Sequence, residues 1–189
     1  LLKQTTHSEE QHTYAETNET SANGLLRQIN DLLEFSKIES GKMTLEKTSL
    51  ALHDIIEQSV GLLADQAQQK GLEMILKLDP QVPQQVLGDP VRLQQILNNL
   101  LGNAIKFTTE GEINLKLRPI STGIRIEVTD TGIGISEEQK ETIFESFTQA
   151  SQGTNRRFSG TGLGLTISQQ FVQRMGGRIG VESQLDQGS

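Results

Sequence analysis

Asn99, Asn103 and Lys106 stand at i, i+4 and i+7 of a segment that opens at Asp89. Wound at ~100° per residue, they fall within about 60° of one another, apart from the apolar stripe of Leu93, Ile96, Leu97, Leu100, Leu101 and Ala104. Such a row carries amide carbonyls that suit a hard cation, amide N–H donors, and one compact positive charge for a phosphate oxygen. A polar row on a helix is more often a solvated face, so the row alone does not name a ligand.

Two further segments could do complementary chemistry. In GIRIEVTD, Ile124, Ile126 and Val128 share a face, and the same parity turns Asp130 inward at the strand's end. There Asp130 either caps the turn that follows or accepts from a ligand's amino group while Gly132 and Gly134 let the backbone approach a flat ring. In SGTGLGLTIS, Gly160, Gly162 and Gly164 open a helix, offering free N–H groups and the positive end of a dipole to a polyphosphate. No GK[ST] follows, which excludes a Walker loop, and the order differs from a dinucleotide fingerprint, which would need a preceding strand and an acidic residue about 20 positions later. Arg156 and Arg157 add positive charge just upstream, or are simply an exposed basic pair.

The elements that must position these residues follow from periodicity and punctuation. Leu25, Leu26, Ile29, Leu32, Leu33, Phe35 and Ile38 recur at helical spacing, with Ser21 and Asn23 as cap candidates and Gly41 as the stop. This stripe either packs on the rest of the chain or builds a helix bundle with another chain. The polar stretch TYAETNET upstream lacks it. Beyond Lys42 the expected order is an extended piece, a helix from Leu52 to Lys70, and the strand LEMILKLD. A turn-rich QVPQQVLGDP then leads to a helix capped by Asp89, with Pro90 in its first turn. The strands INLKLRP and GIRIEVTD, the helix EEQKETIFESF capped by Ser136, a loop from Thr148 to Thr161, the helix Leu163–Met175 and the strand RIGVES complete the chain. The pattern is α+β, with helices on one face of a mixed sheet.

At 189 residues there is room for one medium domain and a short extra element. A net charge of −7 argues against nucleic acid or an anionic membrane as the main partner. Without cysteine there are no disulfides, no thiol chemistry and no cysteine-type zinc sites. No apolar run of about 18 residues is present, and the segment LLKQTTHSEE lacks the charged flank and apolar stretch of a signal peptide. Both ends look cut, and the final strand is expected to be truncated.

In order, NNLLGNAIKFT, DTGIGI, IFESFTQ and GTGLGL resemble the N, G1, F and G2 boxes of the catalytic domain of sensor histidine kinases, within the ATPase group shared with gyrase, Hsp90 and MutL. SANGLLRQINDLLEFSKIESGKM is similar to the second helix of their dimerisation hairpin in hybrid-type kinases, and GDPVRLQQIL to their approach to the N box. The resemblance implies a two-layer α/β sandwich of the Bergerat ATP-binding type at 44–189, preceded by the C-terminal part of a helical hairpin at 1–43. It further implies ATP and Mg²⁺, with Asn103 binding the metal through its carbonyl and Asn99 orienting metal and phosphates. Lys106 would contact phosphate, and Asp130 would accept from the adenine amino group beside Gly132, Gly134 and Ile135. Gly160, Gly162 and Gly164, with Arg157, Thr161, Leu163 and Leu165, would form the phosphate end of a lid whose start is anchored by Phe144 and Phe147. Phe107 completes the implied binding set.

The likeness fails at one point. The family's phosphoacceptor box reads like S-H-E-[IL]-R-T-P; neither His7 nor His12 has that context, the resemblance implies that both lie in the hairpin connection, and the acceptor is expected outside this chain. His53 opens a helix, where it caps or packs. The implied activity is transfer of the ATP γ-phosphoryl to that histidine, for relay to a receiver-domain aspartate. Implied partners are a second copy through the hairpin helices, a response-regulator receiver, and, as a variant, a different sensor kinase in a heterodimer. By the same likeness the fragment is the cytoplasmic portion of an inner-membrane protein and itself touches neither membrane nor nucleic acid. A degenerate kinase acting as a nucleotide-binding or dimerisation module is the alternative. A clamp ATPase of the gyrase and Hsp90 type is disfavoured, because Asn99 stands where a carboxylate would activate water.

Overall fold

The computed structural model describes residues 9–148 and 161–189. His7, Arg156, Arg157 and Gly160, together with most of the expected loop, lie outside the described residues. The chain divides into two compact units that part between Met43 and Thr44.

The first unit contains α1, Glu9–Glu39. Its end is a Schellman motif: Gly41 has φ +66°, its N–H donates to the Ile38 carbonyl at 3.1 Å, and Lys42 N–H reaches back to Lys37 at 3.1 Å. Its start corrects the sequence reading. Ser21 does not cap the helix; its Oγ donates to the carbonyl of Thr17 at 2.8 Å, the back-bond of a residue already inside a helix. TYAETNET is therefore helical, although five of its eight residues are weak helix formers and no apolar stripe marks it, and His12 lies within α1 rather than in a connection.

In the second unit, β1 (Thr48–Ala51), α2 (Leu52–Gln69), β2 (Glu73–Leu78), β3 (Gln85–Gly88), α3 (Pro90–Phe107), β4 (Glu112–Ile120), β5 (Gly123–Asp130), α4 (Glu137–Thr142) and α5 (Gly164–Arg174) follow in order. β2 and β4 run parallel while β4 and β5 run antiparallel, giving a three-stranded mixed sheet. α2 packs beside β2 and α3, and α3 lies against β4 and β5. The expected two-layer arrangement, with a mixed sheet and a helical N-terminal segment, is the one present. Between the layers Leu52, Ile56, Leu97, Leu101, Ile113, Leu115 and Leu117 are all but inaccessible to water, which removes the apolar surface that drives folding.

Three local expectations change. QVLG forms β3, which pairs antiparallel with β1 in a separate small sheet. Four residues flanked by turn formers gave no local sign of that distant pairing. The helix after Ser136 stops at Thr142 instead of running through Phe147, which adopts φ +63°. RIGVES makes no ladder; instead Ser189 exchanges two backbone hydrogen bonds with Asp130, at 2.9 and 3.3 Å, beside the end of β5.

Candidate nucleotide site

The first wall of the site is α3, whose start is fixed by Asp89. Oδ1 accepts from Arg92 N–H at 3.1 Å and Oδ2 from Glu46 N–H at 3.0 Å, so the cap also ties the helix to the chain before β1. Burial of Ile96, Leu97, Leu101 and Ala104 turns the opposite face outward. Asn99, Asn103 and Lys106 lie on that face, each half-buried. At the C-terminus, Lys70 Nζ donates to the carbonyls of Ile105 at 2.6 Å and Lys106 at 3.3 Å, complementing the negative end of the dipole.

Burial lowers the pKa of Lys106, whose Nζ sits 4.9 Å from the Phe107 ring centroid. Asn103 has no hydrogen-bond partner among the described residues, so its amide oxygen remains available as a hard ligand. Mg²⁺ commonly takes one or two protein oxygens and completes its shell with water and phosphate. A donor set of one amide oxygen fits a metal held jointly with a polyphosphate. Among the described residues no cluster of three or more acidic or histidine side chains forms a protein cage.

The turn after β5 docks directly on the end of α3. Phe107 presents its carbonyl to Ile133 N–H at 3.3 Å. Gly132 passes so close that a β-carbon there would strike both that carbonyl and Asp130 Oδ1, which is why the position needs glycine. Asp130 Oδ1 accepts from Gly132 N–H at 2.8 Å and stands 3.5 Å from the hydroxyl of the fully buried Thr108. Desolvation raises the pKa of Asp130, partly offset by these two donors. Ile135 N–H donates to Ser183 Oγ at 2.8 Å, and Gly134 backs onto the carbonyl of Gln184.

The remaining predicted residues that the structure describes gather at the start of α5. Phe147 N–H donates to the carbonyl of Gly162 at 3.2 Å, Thr166 Oγ1 to Phe144 at 3.0 Å, and Leu163 N–H to Thr161 Oγ1 at 3.2 Å. Leu163 is buried at the N-cap, and Gly164 and Leu165 begin the helix. α5 returns to α3 through Asn99, whose Nδ2 donates to Ser168 Oγ at 3.0 Å. Ser168, Lys70 and Thr108 were not singled out from sequence; each acts through a residue or carbonyl distant in the chain, which no local pattern encodes. An open cleft of about 530 Å³ lies between the end of β5 and residues 181–189, but of the predicted site residues only Asp130 lines it. The hydrogen-bonded junctions of α3 with the β5 turn and with α5 define the site better than that cleft does.

Residues 88–189 match the model of the histidine kinase-, DNA gyrase B-, and HSP90-like ATPase family, and residues 1–41 match the His Kinase A (phospho-acceptor) domain. The chain is 46% identical over 184 residues to the signal transduction histidine-protein kinase BarA of Escherichia coli strain K12, covering 95% of this chain and 20% of BarA. It thus spans about a fifth of that relative's length. Among solved structures, ShkA full-length in complex with AMPPNP superposes with a TM-score of 0.83 at 34% identity, covering 99% of this chain and 39% of ShkA. Histidine kinase ThkA in complex with the response regulator protein TrrA gives 0.72 at 26% identity, covering 98% of this chain and 51% of that one. With a phospho-acceptor-type segment followed by the ATPase boxes in their family order, the chain belongs to the histidine kinase-, DNA gyrase B-, and HSP90-like ATPase family.

Proposed function

We propose that this chain binds Mg²⁺-ATP and presents the γ-phosphoryl to a histidine that neither His7 nor His12 supplies, as the catalytic part of a sensor histidine kinase. The observation that carries the reading is the junction of Phe107 with Ile133, which brings the Asn99, Asn103 and Lys106 row to the same end of the fold as the Asp130 carboxylate. Asp130, ionised, accepts from the adenine amino group; Gly132, Gly134 and Ile135 shape the ring's surroundings. Lys106 neutralises phosphate charge, Asn103 would hold Mg²⁺ through its amide oxygen, and Asn99 orients the same end. When bound, the metal supplies charge neutralisation on the phosphates.

The protein's contribution is positioning and electrostatics, the two terms that dominate phosphoryl transfer. An imidazole nitrogen attacks the γ-phosphorus while the bond to the bridging oxygen breaks and ADP leaves. Asn99 has no basic lone pair to activate water, which disfavours hydrolysis and favours an external nucleophile. The phosphoryl then passes to a receiver-domain aspartate; the ThkA complex with a response regulator supports that kind of partner. α1 is assigned to self-association, or to pairing with a different sensor kinase. Among the described residues no helix is long and apolar enough to cross a membrane, so the inner-membrane anchor implied for the whole protein is assigned to segments other than these.

The test is incubation with ATP labelled at the γ-position, with and without a phosphoacceptor hairpin that carries an intact acceptor box. Acid-labile label is expected on the added hairpin and none on this chain alone. Label on His7 or His12 would overturn the acceptor assignment, and binding without any transfer would favour the degenerate-kinase reading.

A further inference from the structure

The amide of Asn99 is gripped by α5 at two points. Its Nδ2 donates to Ser168 Oγ at 3.0 Å, and Ser168 is only 2% exposed. Four residues earlier, one turn back on the same helical face, Gly164 comes so close that a β-carbon would collide with Asn99 Oδ1. The nitrogen is thus committed to Ser168 while the oxygen is left at the first turn of α5, where the helix's free N–H groups and dipole favour anions.

We infer that Ser168 is a positioning residue that locks the Asn99 amide with its oxygen toward the metal and phosphate end of the site. The inference rests on the nucleotide reading above and adds to it a residue outside the four boxes. An amide has one accepting and one donating end, and a reversed amide would aim N–H groups at a cation. In the resting chain the buried hydroxyl already accepts from Nδ2, so no ligand binding energy is spent on ordering this side chain. The same bond couples α3, which carries the row, to the helix that begins at Gly164.

The experiment is calorimetric titration of Mg²⁺-ATP and, separately, of metal-free ADP into wild type, Ser168→Ala, Asn99→Ala and the double variant. Ser168→Cys, close in volume but a weaker hydrogen-bonding partner, repeats the test should Ser168→Ala fold poorly. The expected result is about a fivefold loss of Mg²⁺-ATP affinity in Ser168→Ala, the worth of one neutral hydrogen bond. Metal-free ADP should bind almost unchanged, and Ser168→Ala should cause no further loss in the Asn99→Ala background. Equal losses for both ligands, or the same loss with Asn99 already removed, would assign Ser168 to packing and overturn the inference, as would unchanged affinity in a folded Ser168→Ala. Failure of wild type to bind either nucleotide would overturn the nucleotide reading itself, and the inference with it.

Discussion

Gly132 and Asp130 are joined by a hydrogen bond of 2.8 Å, from the backbone N–H of the first to Oδ1 of the second, and the hydroxyl of Thr108 approaches the same oxygen. Both donors therefore address one side of the carboxylate, and Oδ2 is the oxygen left for a ligand. Replacing Asp130 by Asn keeps the shape but places either an N–H₂ group toward Gly132 N–H or a donor toward the ligand's own amino group. Asp130→Asn is expected to weaken ATP binding at least about tenfold, the scale of a charge-assisted hydrogen bond, without lowering thermal stability, because burial already disfavours the ionised form. Calorimetry together with a melting curve checks both halves.

The pH dependence follows with a definite sign. Burial holds the Asp130 pKa above its ordinary carboxylate value, so the folded chain binds this proton more readily than the unfolded one. Its contribution to stability rises as pH falls through the window between the two values. Affinity moves the other way: the accepting form is lost as pH falls through the raised folded pKa, earlier than for an exposed aspartate. Lys106 is lowered by burial, so its phosphate contact is lost on the alkaline side sooner than for an exposed lysine. ATP affinity measured across pH should fall on both sides, and Asp130→Asn should flatten the acid side alone.

Two glycines inside or at the start of helices should respond oppositely to alanine. Gly61 in α2 has open space where a β-carbon would go, and Gly61→Ala is expected to raise stability by about 0.5–1 kcal/mol through reduced unfolded-state freedom. Gly164→Ala forces Asn99 aside and is expected to lower both stability and ATP affinity. Parallel chemical denaturation of the two variants distinguishes these outcomes; a stabilised Gly164→Ala with intact binding would contradict the close approach.

The stripe Leu25, Leu26, Ile29, Leu32 and Leu33 stands between 45% and 59% exposed, more contiguous apolar surface than a solitary helix keeps in water. Sedimentation equilibrium should find a concentration-dependent dimer that Ile29→Lys with Leu33→Lys reduces to monomer. A monomeric wild type at high concentration would contradict that role for α1.

What the sequence disclosed, it disclosed through local chemistry. Asp89 before Pro90, and Ser136 as a cap, announced two helix starts that the structure places at those residues, the second closed by a capping box with Gln139. The amphipathic winding of α3 and the alternation of β5 likewise survive in the fold, because each buries one face on the same core. Less legible were features decided elsewhere. β3 exists only because Thr48–Ala51 lies alongside it, and the first turns of α1 have neither an apolar stripe nor strong helix formers throughout to reveal them. Of the candidate site, the row on α3, Asp130 and the glycines of the G2 box were visible as residue types at telling spacings. Ser168, Lys70 and Thr108 were hidden, since their partners lie 69, 35 and 22 positions away.

The most direct test of the account is titration of Mg²⁺-ATP into the wild-type chain and into Asn103→Asp and Lys106→Met. Saturable one-to-one binding by wild type, weakened by Lys106→Met and altered in its metal dependence by Asn103→Asp, is the result expected if the α3 row and Asp130 form a nucleotide site. A folded wild-type chain that takes up no nucleotide, or variants indistinguishable from it, would contradict the assignment of that site.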